Sequence, residues 1–299
     1  MTEPEQARFF NVRAFTTGNE GGNPAGVVLH ADALTQQQKQ QIAKWAALSE
    51  TTFVSASGKA AVKLEYFTPS RQIAHCGHAT LAAFKVLWQL DELEQQQATF
   101  ETIEDVRQIK QAENKLWMQQ PAATYEPLSE KEITTELIAS ALHLNPIGDV
   151  VREPVIGSTG NWFLLVQVAS AQVLQNLQPD LESIATLSEQ LQVIGFYVFA
   201  SESIKEPVLA RMFAPAYGIP EEAATGTAAG PLACFLHDFL KNDQKTIQIK
   251  QEMHAAAEKV TGTLFVNLIK QKEKLTEIWV GGEATVDKEA PLPPEFNKD

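Results

Sequence analysis

Hydrophobic and polar residues alternate along many short stretches of this chain, and they recur at helical spacing along a few longer ones. Alternation and short apolar runs predict strands, whereas spacings of three and four predict helices. The predicted strands cover residues 9–16, 26–30, 62–67, 98–103, 105–111, 115–119, 162–169, 196–200, 208–213, 246–251, 263–269 and 277–280. The predicted helices cover residues 35–48, 77–90, 129–144, 180–193 and 226–240, and the first opens with a capping box of Thr35 and Gln38. Residues 121–129 contain proline and lack periodicity, so they are the best candidate for a linker. This mixture predicts an α+β fold.

Two of the predicted helices, 77–90 and 226–240, are apolar on nearly every side, which is typical of a buried helix. The first begins at Gly77 and His78, after a strand and a loop that contains Pro69. The first amides of a helix have no partner within the helix, and the helix dipole is positive there. Such an end suits an anion or a developing negative charge, so this stretch predicts a catalytic or binding site.

The two halves of the sequence repeat one order of features. In each half a strand ends in Phe-x-Pro, at 67–69 and at 213–215. A loop then leads to Cys76-Gly77-His78 in the first half and to Thr225-Gly226-Thr227 in the second, where each apolar helix begins. The repeat predicts two similar lobes, each with a central helix wrapped by strands. Two helix starts that face one cleft would bind a small carboxylate and stabilise an enolate-like charge.

The composition excludes several classes of partner. The 299 residues carry a net charge of −13, whereas nucleic-acid binding needs clustered Lys and Arg, so no nucleic acid is expected. There is no basic-then-apolar segment at the N-terminus and no apolar run near the ~20 residues of a membrane span, so neither secretion nor a membrane is predicted. The two cysteines, Cys76 and Cys234, form no disulfide framework, which favours a cytoplasmic location.

Glu50 lies where the pattern changes from helix to strand, between Leu48 and Phe53. If the carboxyl group is partly buried there, burial raises its pKa and suits it to proton transfer. The alternative is an exposed glutamate in a loop, which is the commoner situation for this residue type. The pattern alone leaves both interpretations open.

Two other chemistries compete with proton transfer by Glu50 and His78. In the first, Cys76 is a nucleophile paired with His78, but residues two apart at a helix start do not face each other. In the second, His75, Cys76 and His78 bind a metal, but their spacing matches no strong zinc pattern. A non-catalytic module that binds an anion or a partner is the remaining possibility.

The pair Cys234 and His237 also offers metal-ligand types, but it lies inside the second apolar helix, where a small buried cysteine is the simpler interpretation. The acidic pair Glu221 and Glu222 precedes that helix. These carboxylates form either a solvated turn or a charge near the helix start, where the dipole stabilises it.

Four groups of residues resemble the PhzF-like proteins of phenazine biosynthesis, which have the diaminopimelate-epimerase fold. The groups occur in the family's order and span nearly the whole chain, and together they are specific although each alone is weak. They are Gly22-Asn23-Pro24-Ala25, Ser49-Glu50-Thr51-Thr52-Phe53, Cys76-Gly77-His78-Ala79-Thr80, and Arg211-Met212-Phe213-Ala214-Pro215 with Ala224-Thr225-Gly226-Thr227.

The resemblance implies two similar lobes, each a β-barrel-like sheet around a central helix, with the active site in the cleft between them. It also implies an isomerase of a small carboxylated substrate, without cofactor or metal, that works as a homodimer. We expect residues 1–124 to form the first lobe and residues 125–283 the second. A C-terminal tail, about 284–299, is expected to return to the first lobe.

The resemblance also implies roles for individual residues. Glu50 matches the family's catalytic carboxylate, which takes a proton from one carbon and returns it to another. Gly77 and His78 match the motif whose backbone and imidazole line the substrate site. The substrate-binding residues that we expect are Cys76, Gly77, His78, Glu222, Gly226 and Thr227.

Three positions depart from the PhzF pattern. Glu222 stands where that pattern usually has Asp, Thr227 where it usually has Ser, and Ala79 where the phenazine enzymes have Pro. One extra methylene moves the carboxylate by about a bond length, and a misplacement of about 1 Å is costly in rate. We therefore do not expect strict substrate identity with the phenazine enzyme. A non-catalytic protein that binds small carboxylates on the same fold is the alternative function.

Diaminopimelate epimerases use two cysteines, one at each helix start, as opposing acid and base. In this chain Cys76 occupies the first place, but Thr225 occupies the second. A threonine hydroxyl is a far weaker acid than a thiol, so it cannot replace one in proton transfer. A proton shift centred on Glu50 is therefore the favoured hypothesis.

Overall fold

The computed structural model describes residues 6–254, 259–271 and 274–296. The chain divides into two compact units, the first formed by residues 1–119 and 281–299 and the second by residues 120–280. These limits lie a few residues from the division that the sequence predicts. Residues 1–5 and 297–299 of the predicted first lobe lie outside the described residues.

The first unit contains eight of the strands and two of the helices of the described chain. The strands are β1 (Arg8–Thr16), β2 (Asn23–Leu29), β3 (Thr51–Ser55), β4 (Val62–Phe67), β5 (Gln72–Ile73), β6 (Gln97–Glu101), β7 (Val106–Ala112) and β8 (Lys115–Gln120, whose last residue already belongs to the second unit). The helices are α1 (Gln36–Ala46) and α2 (Gly77–Gln89).

The second unit has a similar content. Its strands are β9 (Thr124–Pro127), β10 (Val155–Ser158), β11 (Trp162–Gln167), β12 (Gly195–Ala200), β13 (Val208–Ala214), β14 (Ile219–Glu222), β15 (Thr246–Met253) and β16 (Val260–Gln271). Its helices are α3 (Thr135–Ala141), α4 (Ala171–Gln175), α5 (Leu181–Leu191) and α6 (Gly226–Leu240). The long last strand, β17 (Lys274–Ala290), begins in this unit and continues into the first.

The two units have the same order of strand pairings. In the first, β1 pairs antiparallel with β2, β2 parallel with β3, and β3 antiparallel with β4, which pairs with both β5 and β6. In the second, β10, β11, β12 and β13 repeat these pairings in the same senses, and β13 pairs with both β14 and β15. The predicted α+β fold with two similar lobes is therefore confirmed.

Each unit wraps its sheet around one apolar helix. Helix α2 packs against β1, β2 and β3, and helix α6 packs against β10, β11 and β16. Both helices are buried over most of their length, since ten residues in each are buried. A helix that is apolar on every side can be stable only inside a fold, so these two helices are the centres of the two units.

The other helices lie on the outer sides of the sheets. Helix α1 begins with the predicted capping box, in which Gln38 N donates to Thr35 Oγ1 (3.2 Å) and Thr35 N donates to Gln38 Oε1 (2.9 Å). Its residue Ile42 packs in a core cluster with Phe9, Phe53 and Leu292. No helix among the described residues is long and apolar enough to cross a membrane.

The C-terminal segment belongs to the first unit. The second part of β17 pairs antiparallel with β1, from Ala14 opposite Ala284 to Phe9 opposite Ala290. The sequence pattern predicts only a short strand at 277–280, because the glycines 281 and 282 interrupt it. Here Gly281 allows a close approach of strands, since a Cβ at this position would lie 2.2 Å from the carbonyl oxygen of Leu116.

Two predictions for residues 121–144 are wrong. The helix predicted at 129–144 is instead a 3-10 turn, Leu128–Glu130, followed by α3, because Thr134 caps the helix by accepting from Leu137 N (3.4 Å). The stretch predicted as a linker, 121–129, contains β9, which pairs with β10. Proline favours irregular structure, but Pro127 lies at the end of that strand, where its missing N–H is tolerated.

Gly195 on β12 lies where the backbones of two strands of the second unit approach closely. A Cβ at Gly195 would lie 2.1 Å from the backbone carbonyl oxygen of Phe213, which cannot rotate away. We expect Gly195→Ala to lower the free energy of unfolding by about 1–3 kcal/mol, measured by urea denaturation. Gly58→Ala is the matched control, because no atom lies within 4 Å of its added Cβ, and it should have little effect. Equal stability of the two variants would contradict this packing.

Candidate active site

The start of helix α2 is open at its N-terminus. Cys76 is the N-cap residue with an extended backbone (φ −145°, ψ 120°), and its side chain makes no capping hydrogen bond. The turn is held from within, because Thr80 Oγ1 donates to the carbonyl oxygen of Cys76 (2.7 Å) and contacts Tyr66 Oη (2.7 Å). Since the side chain of Cys76 does not cap the helix, this end keeps the positive dipole that suits an anion.

Glu50 immediately precedes β3 and lies against the same helix start. Gly26 N donates to the backbone carbonyl oxygen of Glu50 (2.9 Å), and Thr52 Oγ1 donates to the carbonyl oxygen of Ala79 (3.2 Å). These bonds hold the beginning of β3 against both β2 and α2. The side chain is buried, with Glu50 only 5% exposed, so the alternative of an exposed loop glutamate is wrong.

The carboxylate of Glu50 and the imidazole of His78 form a buried pair. His78 Nε2 lies 3.1 Å from Glu50 Oε2, and His78 is 3% exposed. Ser49 Oγ lies 3.4 Å from the same ring nitrogen, and Asn23 Nδ2 lies 3.2 Å from the other one, Nδ1. Glu50 Oε2 accepts no well-aligned hydrogen bond from the described residues, so its contact with His78 is mainly an attraction between charges.

The contacts between Glu50 and His78 shift the pKa of both groups. Burial alone would raise the pKa of Glu50, but the contacts with His78, and further ones with Ser49 and Cys76, outweigh burial and lower it. Burial alone would lower the pKa of His78, but its contacts with Cys76 and Glu50 raise it well above the ordinary value. These shifts favour a carboxylate at Glu50 and the protonated form of His78. The expectation of a raised pKa at Glu50 is wrong, because the contacts with His78 outweigh the effect of burial.

Cys76 belongs to the same cluster. Its Sγ lies 3.4 Å from His78 Nδ1, so the expectation that these residues cannot face each other is wrong. The reason is that Cys76 is the extended residue before the helix, where the helical spacing rule does not apply. Burial, together with the charge of Glu50, raises the pKa of the thiol, so Cys76 is neutral and a poor nucleophile.

Three side chains of this cluster have the chemistry of metal ligands. Glu50, Cys76 and His78 each offer one ligand atom, and these atoms lie within 4.8 Å of one another. His75 is not part of the group, although the sequence suggested it; burial lowers its pKa to about 3, and its ring packs edge-on against Tyr66. Cys234 is a fully buried residue of α6 whose pKa is raised to about 12 by burial, as expected for a packing residue.

The second helix start, at Gly226, is built from a different set of residues. Thr225 Oγ1 donates to the carboxylate of Glu222, and Thr225 N donates to Gln251 Oε1 (3.0 Å). Gln251 Nε2 in turn donates to the carbonyl oxygen of Glu222 (2.7 Å) and to Thr225 Oγ1 (3.0 Å). The side chain of Thr225 does not cap α6, and Thr227 is half-buried on the first turn of the helix. Gln251 therefore connects Glu222 with Thr225.

The acidic pair before α6 has two separate roles. Glu221 forms a buried ion pair with Arg211 (Nε to Oε1, 2.6 Å), and its other oxygen accepts from His254 N (2.9 Å). Arg211 also donates to the carbonyl oxygens of Leu174 and Leu177 (3.2 and 3.0 Å). Glu221 thus ties β14 into the unit, which leaves Glu222 as the carboxylate at the helix start.

The candidate residues therefore form two groups. Glu50, Cys76, Gly77 and His78 lie together in the first unit, and Glu222, Gly226 and Thr227 lie together in the second. Sequence reasoning missed the contacts of Asn23 and Ser49 with His78, although both residues stand in the motifs that carry the family resemblance. It also missed Gln251, which lies on a strand without any distinguishing pattern.

The class of protein follows from comparison with known chains. An isomerase named YddE from Salmonella typhimurium, described as uncharacterized, is 32% identical over 293 residues, covering 93% of this chain and 96% of its own length. An uncharacterized isomerase of Deinococcus radiodurans is 33% identical over 302 residues, covering 96% of this chain and 94% of its own. This chain is accordingly an isomerase.

The family is defined more narrowly by a sequence model and a solved structure. The model of the phenazine biosynthesis-like proteins matches residues 12–290. The crystal structure of a phenazine biosynthesis protein of the PhzF family from Bacillus anthracis superimposes with a TM-score of 0.82 at 27% identity, covering 97% of this chain and 99% of that one. The chain belongs to the phenazine biosynthesis-like family, and the predicted resemblance is confirmed.

Replacing one partner of the buried pair should change the other partner's titration. In Glu50→Gln, His78 loses the carboxylate that stabilises its charged form while its burial remains, so its pKa should fall. The measurement is the pH dependence of the ¹⁵N shifts of the His78 ring.

The matched control for that titration is Glu65→Gln. Glu65 is a buried carboxylate of the same unit, but it pairs with Lys39 (2.5 Å) instead of His78. Its substitution should leave the titration of His78 unchanged. An unaltered pKa of His78 in Glu50→Gln would show that the two groups do not form a charge pair.

Proposed function

We propose that the protein is a cofactor-independent isomerase of a small carboxylated substrate, in which Glu50 removes a proton from one carbon and delivers it to another. The observation that carries this function is the buried carboxylate of Glu50, 3.1 Å from His78 at the uncapped start of α2. A proton acceptor beside the positive end of a helix is what an enolate-forming reaction requires.

The helix start supplies the binding half of the reaction. The carboxylate of the substrate accepts hydrogen bonds from the amides of Gly77 and His78, and the helix dipole favours its charge. When the proton leaves the substrate carbon, negative charge develops on the carboxylate as an enolate. Donors fixed in position before the reaction stabilise this charge more than water does.

The pair of Glu50 and His78 supplies the proton-transfer half. Before the substrate binds, the imidazolium keeps the carboxylate charged and ready to accept a proton. A substrate carboxylate that draws the imidazolium away leaves Glu50 buried without its partner, and burial then raises the pKa of Glu50. Its basicity therefore increases when the substrate is in place. Return of the same proton to a second carbon completes an isomerisation without net change in protonation.

Cys76 lines the site in this scheme and is not its acid or base. Its thiol is buried and neutral, and no second cysteine stands at the other helix start, where Thr225 occurs. We expect Cys76→Ala to retain activity for this reason. Loss of activity in that variant would favour a thiol-dependent mechanism.

The residues of the second helix start are proposed as further substrate-binding groups. Gly226 and Thr227 offer amides of the same type as Gly77 and His78, and Glu222 offers a carboxylate held by Thr225. The expectation that the two helix starts face one cleft stays a prediction. Glu222 in place of the aspartate of the phenazine enzymes supports a substrate that differs from theirs.

The setting proposed for the enzyme is a homodimer in the cytoplasm. The family resemblance supports the dimer. Free, buried cysteines at both positions, Cys76 and Cys234, support a reducing compartment.

Deuterium uptake tests the role of Glu50. The wild-type chain is incubated in D₂O with a cell extract and with a panel of small amino, hydroxy and unsaturated carboxylic acids, and mass spectrometry detects carboxylates that gain deuterium. We expect Glu50→Gln to lower the rate at least about a hundredfold, because a positioned base contributes about 10²–10⁴-fold.

Glu65→Gln is again the control, since this buried carboxylate lies in the same unit but outside the cluster, and it should exchange at the wild-type rate. Undiminished exchange in Glu50→Gln would exclude Glu50 as the base. Failure of the wild-type chain to label any carboxylate would contradict the proposed reaction.

A further inference from the structure

We propose that Glu50, Cys76 and His78 form a binding site for one zinc ion, and that the bound ion inhibits the isomerase. The ion competes with the substrate proton for the carboxylate of Glu50. Zinc binding is inferred from the arrangement of the three side chains alone. Inhibition by zinc also rests on the role proposed for Glu50.

The arrangement of the donor atoms is close to that of a zinc site. The three ligand atoms lie within 4.8 Å of one another, and His78 contacts both other residues, at 3.1 Å (Glu50 Oε2 to Nε2) and at 3.4 Å (Cys76 Sγ to Nδ1). Tetrahedral zinc, with bonds of about 2.0–2.3 Å, separates its ligand atoms by about 3.3–3.6 Å. One ion binds one ring nitrogen, so the carboxylate and the thiol, which lie within 4.8 Å, have to approach the same nitrogen by about 1.5 Å at most.

The donor types select the metal. A thiolate, an imidazole and a carboxylate together suit zinc, which accepts sulfur, nitrogen and oxygen ligands. Magnesium and calcium prefer oxygen ligands alone, so they have only one suitable donor here, Glu50. Three protein ligands leave a fourth position open for water or a substrate oxygen.

The charges of the cluster also fit a divalent cation. Zinc binding displaces the thiol proton of Cys76 and the second ring proton of His78 to solvent. The thiolate of Cys76 and the carboxylate of Glu50 then balance the two positive charges of the ion. The Oε2 atom of Glu50 is buried and lacks a well-aligned hydrogen bond among the described residues, which leaves a lone pair available for a ligand. The positive helix end opposes a cation, but two anionic ligands in direct contact with the metal outweigh it.

Neighbouring groups can orient the histidine. Asn23 Nδ2 lies 3.2 Å from Nδ1 and Ser49 Oγ lies 3.4 Å from Nε2, so each ring nitrogen has a polar neighbour. A metal-binding histidine donates its second ring N–H to an acceptor, and Ser49 Oγ can accept it from Nε2 when the ion binds Nδ1. Metal binding would use the lone pair with which Glu50 accepts the substrate proton, which is why the ion should inhibit.

The binding test uses the full chain, treated with a chelator and then dialysed. Isothermal titration with Zn²⁺ should give one ion per chain, and Mg²⁺ should give none. Co²⁺ serves as the spectroscopic probe, because a thiolate ligand produces an intense ultraviolet charge-transfer band. We expect Cys76→Ser, Cys76→Ala and Glu50→Gln each to weaken zinc binding at least about tenfold, and both cysteine variants to lose the cobalt band.

Cys234→Ala is the matched control, since this second cysteine is buried on α6 and belongs to no group of metal ligands among the described residues. It should bind zinc and show the cobalt band as the wild-type chain does. Thermal unfolding of each variant verifies that it is folded. The site is overturned if the wild-type chain does not bind one zinc ion, or if both Cys76 variants bind zinc as tightly as the wild-type chain.

The inhibitory effect is measured separately. Zn²⁺ at saturation should abolish deuterium uptake by the wild-type chain, and a chelator should restore it. Full exchange activity with the zinc site occupied would overturn the inhibition and the role of Glu50 as base, but not the metal site. Absence of zinc binding with normal exchange would overturn the metal site alone.

Discussion

The contact between the Glu50 carboxylate and the His78 imidazole, both buried beside the start of α2, is the interaction on which the proposed site depends. Removing one partner of a buried pair leaves the other charge uncompensated, at a cost of about 3–5 kcal/mol. The same pairing keeps Glu50 ionised despite its burial. A charged, buried carboxylate beside the start of α2 therefore exists before any substrate binds.

The surrounding fold explains why this pair can exist. Glu50 is the last residue of the loop before β3. The parallel pairing of β2 and β3 places this residue beside the start of α2. The strand order of the first unit recurs in the second, but there the helix start holds Glu222, Thr225 and Gln251. One architecture thus presents two helix starts with different chemistry, and the buried carboxylate with an imidazolium partner belongs to the first.

Much of this arrangement could be predicted from the sequence, because its signals are local. Apolar residues on every side of 77–90 and 226–240 predict buried helices, and the Phe-x-Pro and Gly motifs predict the duplication. Thr35 and Gln38 predict the capping box of α1 correctly. Glu50 was singled out by its position between a helix and a strand and by the family resemblance, although its burial could not be derived.

The errors arise where distant contacts decide the outcome. The extended backbone of Cys76 brings its thiol to His78, and the partner His78 reverses the pKa shift that burial alone would give Glu50. Likewise, the strand β9 forms in a proline-containing stretch because β10 pairs with it. No local sequence pattern predicts these contacts. The same is true of the hydrogen bonds that Gln251 donates to Glu222 and Thr225.

A crystal structure with a carboxylate that undergoes exchange tests the central claim most directly. The account predicts that the substrate carboxylate accepts from the amides of Gly77 and His78, and that the carbon exchanging its proton lies about 3–3.5 Å from a carboxylate oxygen of Glu50. A substrate bound with its exchanging carbon out of reach of Glu50, and closer to another acid or base, would contradict it.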